Sequence, residues 1–323
     1  MKLNLKKFVV GGALVAVAGL TLASSTRANA EVREIRVGYL ANIVMPQPLI
    51  GFGRGEYARR VKGVKFTSRV YPAGPEVMEA LRAGVIDIAY TGPFPPMKAF
   101  VKDRDVILLA GAAKGGTELL VLKNSPIRSV RDLRGKKVAI NQSGSTVDAI
   151  VRFALLKAGL RPGRDVQIVE VEPAQQADAL KSGDVDAVSA PAPWPSVVKT
   201  KGNGRALLNW RQIFAGGDYL QGVAYTTKKF ANQNPIVLRR FVNAHKGITN
   251  DLNKNRARGN ALVLAAWSRV TRKTLSPAVA RNAFASITFT NVATQAEFER
   301  DQNVAYQVGI VRRKGSLNGF IYR

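Results

Sequence analysis

Ala80-Leu81-Arg82-Ala83-Gly84-Val85-Ile86-Asp87-Ile88-Ala89-Tyr90 returns 99 positions later as Ala179-Leu180-Lys181-Ser182-Gly183-Asp184-Val185-Asp186-Ala187-Val188-Ser189. Each copy then enters a proline-marked turn, Thr91-Gly92-Pro93 in the first and Ala190-Pro191-Ala192-Pro193-Trp194 in the second. The pattern is a helix end, a glycine stop, a short buried strand and a loop leaving that strand's C-terminal end. Ligands of open α/β sheets sit at that end. Two such units predict two similar lobes that offer loops to a shared cleft.

Working outward, strands are predicted at 34–40, 64–71, 106–112, 119–123, 137–140, 166–171 and 221–227. Helices are predicted at 49–61, 76–83 and 147–158, and the chain is mostly helical from Pro235 apart from a strand-like stretch at 287–289. Alternating strands and helices imply an α/β protein with parallel sheets. Glycine-rich Lys114 to Thr117 and Gly216-Gly217-Asp218-Tyr219 suit passages between lobes. Lobe one is therefore placed at 31–116 plus 225–323, and lobe two at 117–224.

The N-terminus is laid out as a secretory signal peptide: Lys2, Lys6 and Lys7, an apolar run from Phe8 to Leu20, then Ala28-Asn29-Ala30 before Glu31. The mature chain keeps 293 residues, enough for one large or two medium domains. It contains no cysteine, so it has no disulfide and no lipid-carrying cysteine. A free periplasmic protein fits best. The whole chain carries a formal charge of +27, and +23 remains once Lys2, Lys6, Lys7 and Arg27 are removed. These basic residues are scattered, with no RNP-like motif or zinc finger, so they read as a solvated surface rather than a nucleic-acid site. An acidic external milieu is one explanation of the excess.

Enzymatic constellations are scarce. The single histidine, His245, reads as structural, and no metal-ligand spacing, Walker A lysine motif or G-x-G-x-x-G after a strand occurs. No cofactor or metal is expected. Asp87 and Asp186, at matched repeat positions, read as braces of the strand–helix junction. Anion-binding features are better represented: Thr91-Gly92 after a strand, Gly115-Gly116-Thr117, and Ser143-Gly144-Ser145-Thr146 opening a helix whose N–H groups and dipole suit an anion. Trp194, Tyr219 and Gln221 are candidate cleft walls, Trp194 reading equally as hinge packing.

Taken in order, Ile35-Arg36-Val37-Gly38-Tyr39-Leu40, Tyr71-Pro72-Ala73-Gly74-Pro75, Gly84 to Pro93, Gly111 to Gly116 and Gln142-Ser143-Gly144-Ser145-Thr146-Val147-Asp148 make a specific set. It resembles the solute-binding proteins of ABC importers for aliphatic sulfonates, taurine, nitrate and bicarbonate. That resemblance implies a two-lobed type II periplasmic-binding-protein fold with two crossover segments. It also implies delivery to a permease driven by a separate ATPase. Ligand contacts are then expected from Asn42 to Gln47, Thr91, Gly92, Gly115, Gly116, Thr117, and Gln142 with Ser143, Ser145 and Thr146. Many relatives carry an acid before Pro193-Trp194, and here Ala192 stands there, which argues against an amino-sulfonate.

The expected function is capture of a small oxyanion, foremost an aliphatic sulfonate, by lobe closure without bond breaking. The protein is expected to work as a monomer, with no nucleic-acid partner. Rivals are nitrate, bicarbonate or a pyrimidine vitamin precursor on the same fold, and, from other classes, an enzyme or a basic coat for nucleic acid or membrane.

Overall fold

The computed structural model describes residues 32–322. The leader and its Ala28-Asn29-Ala30 cleavage pattern lie outside the described residues. The first stretch runs β1 (Glu34–Leu40), α1 (Pro46–Gly53), α2 (Glu56–Arg60), β2 (Lys65–Tyr71), α3 (Gly74–Arg82), β3 (Ile88–Thr91), α4 (Phe94–Asp103) and β4 (Val106–Gly115). The second runs β5 (Glu118–Leu122), β6 (Lys137–Ile140), α5 (Thr146–Lys157), β7 (Gln167–Glu170), α6 (Gln176–Ser182), β8 (Ala187–Ala190), α7 (Trp194–Lys201) and β9 (Gly204–Leu208). The chain returns through β10 (Leu220–Thr227) and ends with α8 (Lys228–Gln233), α9 (Pro235–Lys254), α10 (Arg256–Thr271), α11 (Pro277–Ala285), β11 (Ile287–Phe289) and α12 (Gln295–Gln307). The single helix expected over 49–61 is two, because Gly55 takes a left-handed conformation (φ 67°) between them.

Two sheets form, ordered β11-β4-β10-β3-β1-β2 and β7-β6-β8-β5-β9. The triads β2-β1-β3 and β7-β6-β8 are parallel, as the alternation predicts. β10 runs antiparallel to β3 and β4, and β5 antiparallel to β8 and β9. The sheets are therefore mixed. A strand arriving from the opposite lobe starts at the edge facing that lobe, so it must run against strands that end there. The repeated units supply β3 and β8, the third strand of each triad, and both are buried along their whole length. Asp87 accepts hydrogen bonds from the Arg36 N–H (2.8 Å) and guanidinium, and Asp186 accepts one from the Lys137 N–H (2.8 Å). Each carboxylate thus fastens the start of the neighbouring parallel strand, at the end away from the cleft.

The return strand begins at Leu220, so residues 220–224 lie in the first sheet, not in lobe two as the boundary at 224 would have them. A second departure is α11, which packs on α7 before β11 rejoins β4. The two crossovers are bound together: Gly115 N–H donates to the Tyr219 carbonyl (3.0 Å) and Thr117 N–H to the Tyr219 hydroxyl (3.0 Å). Lys114 pairs with Asp218 (2.6 Å) and with Glu297 on α12 (2.8 Å), while Arg300 donates to the Asp218 carbonyl (3.0 Å). α12 is therefore a strap across both crossovers.

Candidate functional site

Each parallel triad reverses strand order beside its first strand, which makes a crevice at the C-terminal strand ends. The two crevices face each other. Leu40 ends β1, Asn42 and Met45 follow it, Gly92 follows β3, Asn141 follows β6 and Pro191 follows β8, and all of them line one cavity. Gly74, Pro95, Ser145, Thr146, Val147 and Gln221 complete it. About 20 Å³ is open to the centre of a water-sized molecule. That admits a small polar group rather than a whole organic molecule.

Among the described residues, no charged side chain lines this inner cavity. Its polarity comes from helix starts instead. Met45 caps α1, Gly74 begins α3, Pro95 stands in the first turn of α4, and Ser145 caps α5, its hydroxyl accepting from Asp148 N–H (3.2 Å). Helix starts carry partial positive charge on their free N–H groups, to which Pro46, Pro48, Pro75, Pro95 and Pro96 contribute none. Four helix starts bordering one space, with the N–H groups they leave free, favour an anion there. Asn42 supplies an independent sign: it is 6% exposed, and its side-chain oxygen is buried without a partner. A buried amide left unpaired is costly. Its carboxamide can be turned to present N–H groups to a guest. Between the lobes, Thr146 fits directly over Gly92 and its hydroxyl accepts a long hydrogen bond from Phe94 N–H (3.4 Å).

Beyond this cavity lies a chamber of about 280 Å³, which shares Leu40, Asn42, Asn141 and Pro191 with it. Tyr71 and Pro72 wall it from the first lobe, Pro173 and Trp194 from the second. Trp194 also meets Trp267 edge-on (6.0 Å between ring centres), and Trp267 donates to the Ala41 carbonyl (3.1 Å). Trp194 is thus both a cleft wall and a packing contact.

Of the predicted site residues, Asn42, Gly92, Ser145, Thr146 and Gln221 line the inner cavity and Trp194 the outer chamber. The others do not. Gln47 is fully buried in the first lobe, donating to the Ala112 carbonyl and Thr249 hydroxyl. The Thr91 hydroxyl bonds the Gly92 carbonyl (2.8 Å) and Tyr225 (3.2 Å), so it faces the core. Gly115, Gly116, Thr117 and Tyr219 build the hinge. A Cβ on Gly116 would stand 2.5 Å from Ile287, and Tyr219 packs edge-on to Phe214. Gln142 reaches Glu76 across the cleft (3.5 Å), and Ser143 is exposed with its N–H on Glu170. Sequence reasoning missed Asn141 and Pro191. The offset of 99 that defines the repeat carries Asn42 to Asn141 and Gly92 to Pro191, and that signal could have found them.

His245 is buried. Its Nε2–H donates to the Gly111 carbonyl (2.8 Å) and its Nδ1 accepts from the Tyr90 hydroxyl (2.7 Å), so burial holds its pKa down to about 4. It is a neutral structural group. Among the described residues no cluster of His, Asp or Glu could hold a metal, and no helix is long and apolar enough to cross a membrane.

Residues 28–266 match the model of the NMT1-like family. The chain belongs to that family. A protein of Escherichia coli (strain K12) named for binding aliphatic sulfonates is 32% identical over 222 residues, 67% of this chain and 68% of its own length. A Bacillus subtilis (strain 168) protein with the same name is 29% identical, covering 72% and 70%. Among solved structures, the alkanesulfonate-binding protein SsuA from Xanthomonas axonopodis pv. citri, bound to MOPS, superposes with a TM-score of 0.76 at 25% identity, over 91% of this chain and 99% of its own. The nitrate-binding protein NrtA from Synechocystis shares the fold with a TM-score of 0.75 at 17% identity. The NMT1-like chain thus has the two-lobed periplasmic-binding-protein fold.

Proposed function

We propose that this NMT1-like protein captures an organosulfonate between its lobes and hands it to the permease of an ABC importer driven by a separate ATPase. The observation that carries this reading is the inner cavity: four helix starts and Asn42, whose side-chain oxygen has no partner, surround a space that no charged side chain of the described residues lines. The sulfonate head enters there, and its organic tail lies in the outer chamber beside Trp194. That chamber favours a tailed anion over nitrate or bicarbonate, which would leave it unused. The relatives named for sulfonates support the same choice. No bond is broken, and the protein acts as a monomer in the periplasm once the leader is removed.

A thermal-shift screen of alkanesulfonates, nitrate, bicarbonate and sulfate esters tests it. A ligand at 100 times its Kd adds about 2.7 kcal/mol of apparent stability. Sulfonates should give the largest shift. A shift with nitrate or bicarbonate alone, or turnover of any bound compound, would overturn the proposal.

A further inference from the structure

A groove of about 540 Å³ lies away from the cleft, between α5, the end of β9 and α12. It shares no lining residue with the inner cavity or the outer chamber. Phe153, Leu208, Ile213, Phe214 and Val304 make it apolar, and its two phenyl rings meet edge-on (5.8 Å between centres). Phe153 and Leu208 are only half-buried, in a chain whose surface is otherwise strongly basic. Apolar recesses of this size on a protein surface are typically binding sites. Among the described residues, the charged groups that line it are both cations, each over one of the rings: Lys157 over Phe153 (5.5 Å) and Arg300 over Phe214 (5.3 Å). Arg300 is already committed to Asp301 and to the Asp218 carbonyl. Lys157 has no carboxylate within ion-pair distance among the described residues. The last carbonyls of α5, at Ala154, Leu155 and Leu156, already accept from the N–H groups of Ala158, Gly159 and Leu160, so the helix end opposes an anion only weakly.

We infer that this groove is a second binding site, for an amphipathic anion: a medium-length alkyl chain that ends in a single carboxylate. The chain lies over Phe153 and Phe214, and the carboxylate meets Lys157. A cationic chain would be set against Lys157 and Arg300, a neutral one would leave Lys157 unpaired, and a small inorganic anion would leave the apolar floor wet. The site does not rest on what the cleft holds. α5 begins at the inner cavity and ends at Lys157, about 18 Å along its axis, so the two sites fill without touching.

Calorimetry on the mature protein tests this with butanoate, octanoate, 1-octanol and octyltrimethylammonium. Octanoate should bind about ten-fold tighter than butanoate or better, since each methylene fully enclosed is worth roughly a three- to four-fold gain. 1-Octanol and octyltrimethylammonium should each bind about three-fold weaker than octanoate or worse. Lys157→Gln should cost octanoate about three-fold, and Ala158→Trp, which fills the groove from an exposed position, about ten-fold, with each variant melting within a few degrees of the parent. The chain-length and head-group series needs no variant, so a variant that fails to fold leaves the site open to refutation. No binding of octanoate, an affinity that does not grow with chain length, a neutral or cationic chain bound as tightly as octanoate, or octanoate unweakened in either folded variant would overturn it.

Discussion

Gly92→Ala tests whether closure of the lobes is what binds the ligand. Gly92 does not have positive φ, so alanine is tolerated by its backbone. The obstacle lies across the cleft. A Cβ at this position would stand 2.0 Å from the Thr146 hydroxyl and 2.7 Å from the Thr146 Cβ. Rotation of the threonine could move the hydroxyl, but the Cβ moves only with the backbone of α5. Relieving that contact means parting the lobes by roughly 1 Å, at a cost of about 1–3 kcal/mol by analogy with overpacked cores. That cost falls on the closed form, so affinity should drop about 5- to 150-fold. The melting temperature of the ligand-free protein should hold to within a few degrees, because each residue remains well placed in its own lobe.

The control is the same change in a Thr146→Gly background, which removes both offending atoms. Thr146 lines the cavity, so its own substitution will cost affinity, and only the coupling is informative. Calorimetry with the tightest sulfonate should show Gly92→Ala costing less than two-fold there. An equal loss in both backgrounds, or no loss in either, would refute the idea that the Gly92–Thr146 contact belongs to the binding state.

Asn42→Ala should weaken sulfonate binding by about 1–3 kcal/mol without lowering stability, whereas Thr91→Val should lower stability by about 1 kcal/mol and leave affinity within two-fold; calorimetry and urea denaturation of both variants decide. His245 has a folded pKa held down to about 4 by burial, so stability should be full above pH 6.5 and fall by about 3 kcal/mol as pH drops through 4. His245→Gln should flatten that limb of a urea-melt pH series, and an unchanged difference between pH 7 and 4 would count against it. Asp301 is almost wholly buried, and burial raises its carboxyl pKa to about 7, Arg300 partly opposing. Its native form favours the proton, so its cost is absent below pH 3.8 and complete above pH 7; Asp301→Asn should therefore stabilise the protein at pH 8 by up to about 4 kcal/mol more than at pH 4, and a constant difference would refute this.

The repeat was legible because its message is local: a glycine stop, an apolar strand and a turn are set by neighbours in sequence. It located β3 and β8, and through them the pair of crevices. Side-chain direction was not legible at the strand ends. Thr91 and Gly92 are adjacent, yet one hydroxyl points to the core because β3 is buried on both faces, while the next residue meets the opposite lobe. Gly115 and Gly116 were read as anion cradles, but their smallness serves approaches by Ser286 and Ile287, some 170 residues downstream. Nothing local announces such a neighbour. β9 was missed for the reverse reason, since Gly204-Arg205-Ala206-Leu207-Leu208 has no alternation and owes its conformation to pairing with β5.

A binding protein that must also release its ligand gains from having no lysine or arginine in the inner cavity. A cation fixed in one lobe would keep attracting the anion after the lobes part. Helix starts act over about one turn and are shared between the lobes, α1, α3 and α4 on one side and α5 on the other. Opening withdraws one set from the ligand and admits water, which screens what remains. Affinity is thereby tied to closure, and moving such an equilibrium from 1:99 to 99:1 needs about 5.5 kcal/mol of differential contact. The surface charge serves the step before: a strongly basic exterior raises the encounter rate for anions at long range without holding them. High salt should then slow association far more than it hastens dissociation.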